Sequence, residues 1–395
     1  MQATVEIEKL VYGGEGLARL DGQVVLVPFV LPGERVSVTV DRVKTGLLRG
    51  ALPHVLEPAP QRTPPGCEYF ANCGGCHYQH AEYEFQLQQK KAILIETLQR
   101  LGGIQFEGEV RVLSGEPWHY RNRIQLHFEN AQAGFHKAGS HDLCAIDHCP
   151  ISSPMLNQAI AKFQAAATQP EWPDFLRSLE IFTNETDVQL NIVDSIRPVA
   201  ARFFEWCGTF VPLARGAIEY AAAGQMFRIS RGSFFQVNRF LADALIGEVL
   251  CAGEGSYAVD LYSGVGLFSI PLASRFRRVD AVERGGPPSR DLESNANQSA
   301  NVRAVKASAE EFLRGLSDAP DLIVADPPRA GLGRDAINEL LRLKPPRLTL
   351  VSCDPSTLAR DMRKLMPEYG IERLTLIDLF PQTYHFETVV HLARS

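Results

Sequence analysis

Between Thr4 and Leu56, short β-branched runs such as Val24–Val27 and Arg35–Val40 are separated by Gly13-Gly14, Asp21-Gly22 and Pro32-Gly33. Brief apolar runs punctuated by turn-forming pairs predict a small antiparallel barrel. Glu57 to Pro65 then holds four prolines in nine positions. Proline lacks an amide proton and clashes with a helical backbone, so this stretch predicts a linker. Gln79 to Leu101 has neither proline nor glycine, is rich in Gln, Leu, Lys and Glu, and stops at Gly102-Gly103; that pattern predicts a helix with a glycine stop. Alternation in Arg123–Phe128 and Val188–Val193 suggests a mixed α+β region from Glu109 to Ala201. From Gly224 onward, apolar strand candidates at Ala258–Leu261, Arg278–Val282, Leu322–Ala325, Thr349–Val351 and Leu374–Leu379 alternate with helical stretches. This rhythm predicts a doubly wound α/β domain.

A chain of 395 residues corresponds to roughly two to three domains. At 45% hydrophobic and 22% charged residues it has the composition of a globular protein. The net charge of −6 argues against wholesale coating of nucleic acid and leaves room for a local basic groove. The longest apolar run, Val24 to Leu31, is interrupted by Pro28 and falls far short of the ~20 residues of a spanning helix. Met1 to Leu10 carries Glu6 and Glu8 and shows no secretory pattern, so a cytoplasmic location and no membrane partner are expected. Eight cysteines are too few for a disulfide scaffold; where they are closely spaced they point to metal ligation or catalysis.

Tyr257 to Ala273 reads as a strand, a Gly-x-Gly turn at Gly264 and Gly266, and a helix. Open α/β sheets bind ligands at such carboxyl ends, and Glu283, ending the next strand, could accept bonds from two ribose hydroxyls. Only Gly-x-Gly is present, so a nucleoside such as S-adenosylmethionine fits better than a phosphate cradle; a purely structural turn is the alternative. Asp326-Pro-Pro-Arg329 places an acid beyond another strand on a stiff backbone. Amine-methylating enzymes carry an aromatic residue after the two prolines, where this chain has Arg329, and that weakens an amine-methylating reading. Cys353 ends a third strand just before a helix start, with Arg360 nearby in sequence, the setting of a low-pKa nucleophile. A buried structural cysteine is its alternative. Glu387 supplies a carboxylate near the chain end, or else is a solvated loop residue. A thiolate, a carboxylate and a sulfonium donor together allow one reaction, methylation of uracil C5 after thiolate addition at C6, with no catalytic metal.

Cys67, Cys73 and Cys76 form Cys-x5-Cys-Gly-Gly-Cys, with Cys144 and Cys149 as candidate fourth ligands. Four thiolates suit an iron-sulfur cluster or tetrahedral zinc, and spacing alone does not decide between them. Five of the ten histidines lie between His119 and His148 without tight ligand spacing and read as surface or hydrogen-bonded residues.

The cysteine motif, Phe-Phe-Gln-Val-Asn at 234–238, Asp-Pro-Pro-Arg at 326–329 and Ser-Cys-Asp-Pro-x-Thr at 352–357 together resemble the RNA 5-methyluridine (uracil-5) methyltransferase family over nearly the whole chain. The 23S rRNA-type branch is favoured, because the tRNA-type enzyme lacks the barrel and the cysteine cluster. The resemblance implies a class I (Rossmann-like) methyltransferase domain with an N-terminal OB-like TRAM barrel and a central α+β iron-sulfur domain. It implies residues 1–56 as the barrel, 57–78 and 111–232 as the central domain, and 79–110 with 233–395 as the methyltransferase domain. It further implies that Gln236, Tyr262, Glu283 and Asp326 bind S-adenosylmethionine, Cys353 is the nucleophile and Glu387 the base, and Cys67, Cys73, Cys76 and Cys149 hold a [4Fe-4S] cluster. The expected partner is RNA, 23S rRNA in this branch, with the target uridine single-stranded or flipped out; no obligate protein partner is evident. Leu267, Ser308 and Gly285-Gly-Pro-Pro288 depart from the family pattern near the cofactor. Phe234 and Phe235 could stack on a base or pack in the core. The alternatives are a noncatalytic iron-sulfur RNA-binding protein with this fold, the same activity on tRNA, and methylation of an amine.

Overall fold

In the computed structural model, which describes residues 1–44 and 46–395, the first five strands curl into a closed barrel. They are β1 (Gln2–Leu10), β2 (Glu15–Leu20), β3 (Gln23–Pro28), β4 (Arg35–Lys44) and β5 (Leu47–Glu57), in the order β1-β2-β3-β5-β4. Val5, Ile7, Val25, Val27, Val36 and Val38 alternate inward and fill it. All pairs are antiparallel except β3 with β5, the parallel pair through which the barrel shuts. The proline-rich stretch is not a free linker. Buried Glu34 accepts the Arg62 guanidinium and the Ala59 amide, which straps that stretch to the barrel.

Helix α1 (Tyr83–Thr97) starts four residues later than expected, because Ala81 donates its amide to the Tyr78 carbonyl in a turn and Glu82 donates to the Gln61 carbonyl of the proline-rich stretch. It runs on through a π-turn at Leu98–Gly102 and ends at Gly103, where φ is +65°. β6 (Val110–Leu113) follows. A second sheet is built from β7 (Arg123–Glu129), β8 (Gln132–His136), β9 (Leu143–Ala145), β10 (Leu176–Thr183) and β11 (Val188–Ser195), ordered β11-β10-β7-β8-β9. α2 (Pro154–Ala166) and α3 (Ala201–Cys207) belong to the same region, and Phe128, Phe163, Leu179 and Leu190 lie in its core. The ribbon β12 (Ile218–Ala222) and β13 (Gln225–Ile229) leads into the C-terminal region.

There, the five expected strands are present as β14 (Gly255–Leu261), β15 (Phe276–Glu283), β17 (Leu322–Ala325), β18 (Arg347–Ser352) and β19 (Tyr369–Ile377). Two more, β16 (Val302–Lys306) and β20 (Glu387–Arg394), together with β6, complete an eight-stranded sheet ordered β16-β15-β14-β17-β18-β20-β19-β6. β20 inserts antiparallel between β18 and β19, and the other pairings are parallel. Helices α4 (Ala242–Leu250), α5 (Ser269–Leu272), α6 (Pro287–Ala296), α7 (Ala309–Arg314), α8 (Arg334–Leu343) and α9 (Pro355–Leu365) accompany it. Ile323 and Ala325 of β17 enter one core while Leu322 and Val324 enter another, so the sheet is buried on both faces. Among the described residues no helix is long and apolar enough to cross a membrane.

Candidate active site

The carboxyl ends of β14, β15, β17 and β18 open onto one cavity of about 870 Å³. The six residues singled out from the sequence, Gln236, Tyr262, Glu283, Asp326, Cys353 and Glu387, all line it. After β14 the backbone turns through left-handed conformations at Tyr262 (φ +60°), Gly264 (+57°) and Gly266 (+94°). A Cβ on Gly264 would meet nothing within 4 Å, so the cavity reaches bare main chain where a ligand can lie close to it. The Gly264 and Arg284 amides donate to Glu283 at 2.9 and 3.0 Å and orient its carboxylate at this turn. Gly285-Gly-Pro-Pro288 is compatible with a helix start here: Gly286 takes φ +81° and Pro287 opens α6 at its first position. Leu267 and Ser308 also line the cavity, and Ser308 caps α7 in a reciprocal pair with Glu311.

The carboxylates at this sheet edge are held away from water. Burial pushes Asp326 up to about 7. Asp260, inside β14, is also raised to about 7 by burial and by Asp326, against the Ser269 hydroxyl that donates to it, and its Oδ1 has no partner. β18 and β20 pair Ser352 with Thr388. Cys353 and Glu387 therefore leave adjacent strands at the same edge. Glu387 opens β20 and is buried, so it is not the solvated loop glutamate that its sequence setting allowed. Its Oε1 has no hydrogen-bond partner. Burial first, and Asp326 second, hold its pKa well above the usual carboxylate range, with Arg329 opposing.

The expectation of a low-pKa thiol at Cys353 does not hold in the free protein. Burial, followed by Glu387, pushes it up to about 11, and Arg329 is the cation that opposes them. Two causes defeat the sequence argument. The amino end of α9 is already capped by Asp354, whose carboxylate accepts the Ser356 and Thr357 amides and offsets the helix dipole. Arg360 is turned away, donating to Asp361 and to the Ala330 carbonyl.

Phe234 and Phe235 both border the cavity, but Phe235 is buried in the core and Phe234 is 57% exposed. Arg121, Arg329 and His385 also line the cavity. Burial and Arg329 push His385 down to about 3, so its ring is neutral. Arg121 and His385 carry no spacing signal in the sequence.

Cys67, Cys73, Cys76 and Cys149 line a second cavity of about 330 Å³, and Arg121 borders both. Cys149 raises the pKa of the other three thiols, after burial as the main cause; Cys73 and Cys76 reach about 12. The Gly75 amide donates to Cys73 Sγ at 3.4 Å. Cys144, the other candidate ligand, does not line this cavity; its sulfur accepts from the Asn72 side chain. Among the described residues, no group of three or more His, Cys, Asp or Glu is arranged to hold a metal ion. Four thiols bordering one cavity are a donor set whose chemistry suits an iron-sulfur cluster or zinc.

The tRNA (uracil-5-)-methyltransferase family matches residues 217–395, and the TRAM domain matches residues 2–52. The chain is 33% identical to an RNA methyltransferase of Aquifex aeolicus, covering 98% of this chain and 97% of the relative. It is 30% identical to the 23S rRNA (uracil(1939)-C(5))-methyltransferase RlmD of Dichelobacter nodosus, covering 99% and 98%. Its fold is similar over the full length of both chains to the tRNA (uracil-54, C5)-methyltransferase of Pyrococcus abyssi solved with S-adenosyl-L-homocysteine, with a TM-score of 0.77 and 26% identity. The C-terminal region thus has the class I methyltransferase fold, and the barrel is a TRAM domain.

Proposed function

Since the chain belongs to the RNA uracil-5 methyltransferase family, we propose that it methylates C5 of a uridine in 23S rRNA, with Cys353 as nucleophile and Glu387 as base. The observation that carries this reading is the convergence of Cys353 and Glu387, on adjacent strand ends, with Glu283 and Asp326 in one cavity. Bound S-adenosylmethionine supplies an electrophilic methyl group on a sulfonium centre. The bare backbone at Gly264 and the oriented Glu283 carboxylate fit its nucleoside, with Gln236, Tyr262 and Asp326 completing the binding set.

Cys353 must lose its proton before it can add to C6 of the uracil ring. A positive charge beside a thiol lowers its pKa; in the free protein the thiol is pushed up to about 11, and Arg329 is the cation that opposes this and favours its loss of a proton to solvent. Addition forms the S–C6 bond and moves electrons to C5 as an enolate. Transfer of the methyl group to C5 would break the donor's sulfur–methyl bond and leave S-adenosylhomocysteine, neutralising the sulfonium as the enolate electrons form the C–C bond. Glu387, whose Oε1 has no partner inside the protein, removes the C5 proton, and the S–C6 bond breaks to return the thiolate. Phe234 at the mouth is placed to stack on the flipped base or a neighbour. Cys67, Cys73, Cys76 and Cys149 would hold a four-iron cluster, which joins the loops carrying them. In the same reading residues 79–110 belong with 233–395, supported by the contact of α1 with α9; β6 pairs with β19 as far as Leu113, so the segment belonging to the methyltransferase sheet runs three residues past the expected bound.

The test is covalent trapping. RNA bearing 5-fluorouracil cannot release its C5 substituent and is expected to stay bound to the wild type through Cys353, whereas Cys353→Ala binds RNA and forms no adduct. No adduct under any condition overturns the mechanism. The same activity on tRNA is a second reading: the full-length likeness to the Pyrococcus abyssi tRNA enzyme spans the barrel as well, so the barrel is no ground for preferring the rRNA branch, and the likeness to the 23S rRNA enzyme is what favours it. Mapping 5-methyluridine in rRNA and tRNA from cells with and without the gene separates the two. It also excludes a noncatalytic or amine-methylating role if 5-methyluridine disappears.

A further inference from the structure

The turn between β1 and β2 leaves the barrel and reaches the nucleophile. Val11 donates to the Glu15 carbonyl across the turn's opposite arm, and Gly13 (φ +118°) and Gly14 (φ +87°) reverse the chain. A Cβ on Gly14 would lie 3.0 Å from the His77 ring, so this tip is packed tightly against the cysteine-bearing segment. From the turn Tyr12 extends its phenol to the carbonyl oxygen of Cys353 and donates to it at 3.0 Å. Its ring meets Tyr384, His385 and Phe386 edge-on, with centroids 5.3, 6.3 and 5.9 Å away. One side chain of the barrel therefore touches the peptide that carries the thiol and the three residues that precede Glu387.

That carbonyl sits where β18 gives way to α9. The donated bond fixes the plane of the peptide between Cys353 and Asp354, and with it the direction of the Cα–Cβ bond that carries the sulfur. Burial and the nearby Asp354 keep the phenol protonated, so it remains a donor.

We propose that Tyr12 is a positioning residue of the methyl-transfer site, through which the RNA-binding barrel sets the orientation of the Cys353 thiol. The proposal rests on the reading of Cys353 as nucleophile. Tyr12→Phe removes the donated bond and keeps every ring contact. The measurement is the single-turnover rate of adduct formation with a 5-fluorouracil-substituted 23S rRNA transcript and S-adenosylmethionine, across RNA concentrations, beside thermal unfolding of each variant. One lost hydrogen bond predicts a maximal rate about fivefold to tenfold lower, with an unchanged RNA concentration for half-maximal rate and a melting temperature lower by no more than about 4 °C. An unchanged maximal rate, a change confined to RNA affinity, or a slowing that follows loss of folded protein overturns it. If the wild type itself forms no adduct, the nucleophile reading fails and this proposal falls with it. A wild type that reacts and a Tyr12→Phe variant that reacts equally fast refute Tyr12 alone.

Discussion

Replacing Glu387 by Gln isolates the last chemical step. The side chain is buried, and its Oε1 has no partner. Burial and Asp326 favour its neutral form while the cavity is empty. A neutral amide of nearly the same shape therefore substitutes without stranding a partner, and folding stability should hardly change. Addition of Cys353 to C6 and methyl transfer to C5 do not need the base, but loss of the C5 proton does. A positioned general base contributes about 10²- to 10⁴-fold in rate, or about 3 to 5 kcal/mol of transition-state stabilisation. Turnover should fall by that factor while a covalent protein–RNA species accumulates on ordinary uridine RNA, without any fluorinated base. Denaturing gel electrophoresis with methyl-labelled S-adenosylmethionine reads both, since the label should migrate with the protein. Turnover within tenfold of the wild type with no labelled adduct would refute the assignment of Glu387 as the base.

Phe234→Ala should weaken RNA binding by roughly one stacked base, about 1 to 3 kcal/mol, in a filter-binding titration at fixed salt; unchanged affinity would return Phe234 to a bystander role. Cys149→Ser should lower the iron content of anaerobically purified protein and bleach its charge-transfer absorbance, and full retention of iron would remove Cys149 from the ligand set. Asp260→Asn tests the buried carboxyl, whose pKa is raised from 3.8 to about 7. A raised folded pKa means that the wild type is favoured below the unfolded value and loses stability as pH climbs through about 7. The variant's advantage should accordingly grow from pH 4 to pH 7 and level off near the order of 4 kcal/mol. Urea unfolding at pH 4 and pH 8 measures it, and an advantage independent of pH would contradict the buried-charge argument.

Much of the architecture was legible from local pattern. The turn pairs around Val24–Val27 announce a barrel, and the short apolar runs after Gly224 announce the parallel strands. β16 was not legible because Val302-Arg-Ala-Val-Lys306 is a half-exposed edge with polar residues among its apolar ones. β6 was missed because it is only four residues long. β20 hid behind the acidic Glu387, whose burial follows from strands folding around it and leaves no local mark. Five of the six candidate site residues, Tyr262, Glu283, Asp326, Cys353 and Glu387, sit at strand ends, whereas Gln236 lies in an irregular segment after β13 and came only from the Phe-Phe-Gln-Val-Asn motif. The electrostatics were not legible: Asp354 and Arg360 lie beside Cys353 in sequence, yet the first cancels the helix end and the second faces elsewhere.

The contacts that matter most for Glu387 are also those that no window of sequence could contain. The loop from Asp378 to Phe386 feeds the base into β20, and it is gripped by segments hundreds of residues away. Lys90 of α1, fully buried, pairs with Asp378 at 2.6 Å and also donates to the Phe380 carbonyl. Gln86 exchanges hydrogen bonds with Gln382, and the Tyr120 hydroxyl donates to the Pro381 carbonyl. His77 and Tyr78, next to Cys76, donate to the Gln382 carbonyl, whose residue is held at φ +67°. A left-handed conformation at a non-glycine residue costs energy and persists only when its surroundings over-determine it. The cysteine segment and α1 supply that over-determination at Gln382, and the barrel turn packs on the next residues, Tyr384 to Phe386. On this view those parts do more than collect RNA: they stiffen the path along which a buried carboxylate is held beside the thiol, and loosening any one of them should act on the chemical step before it acts on the fold.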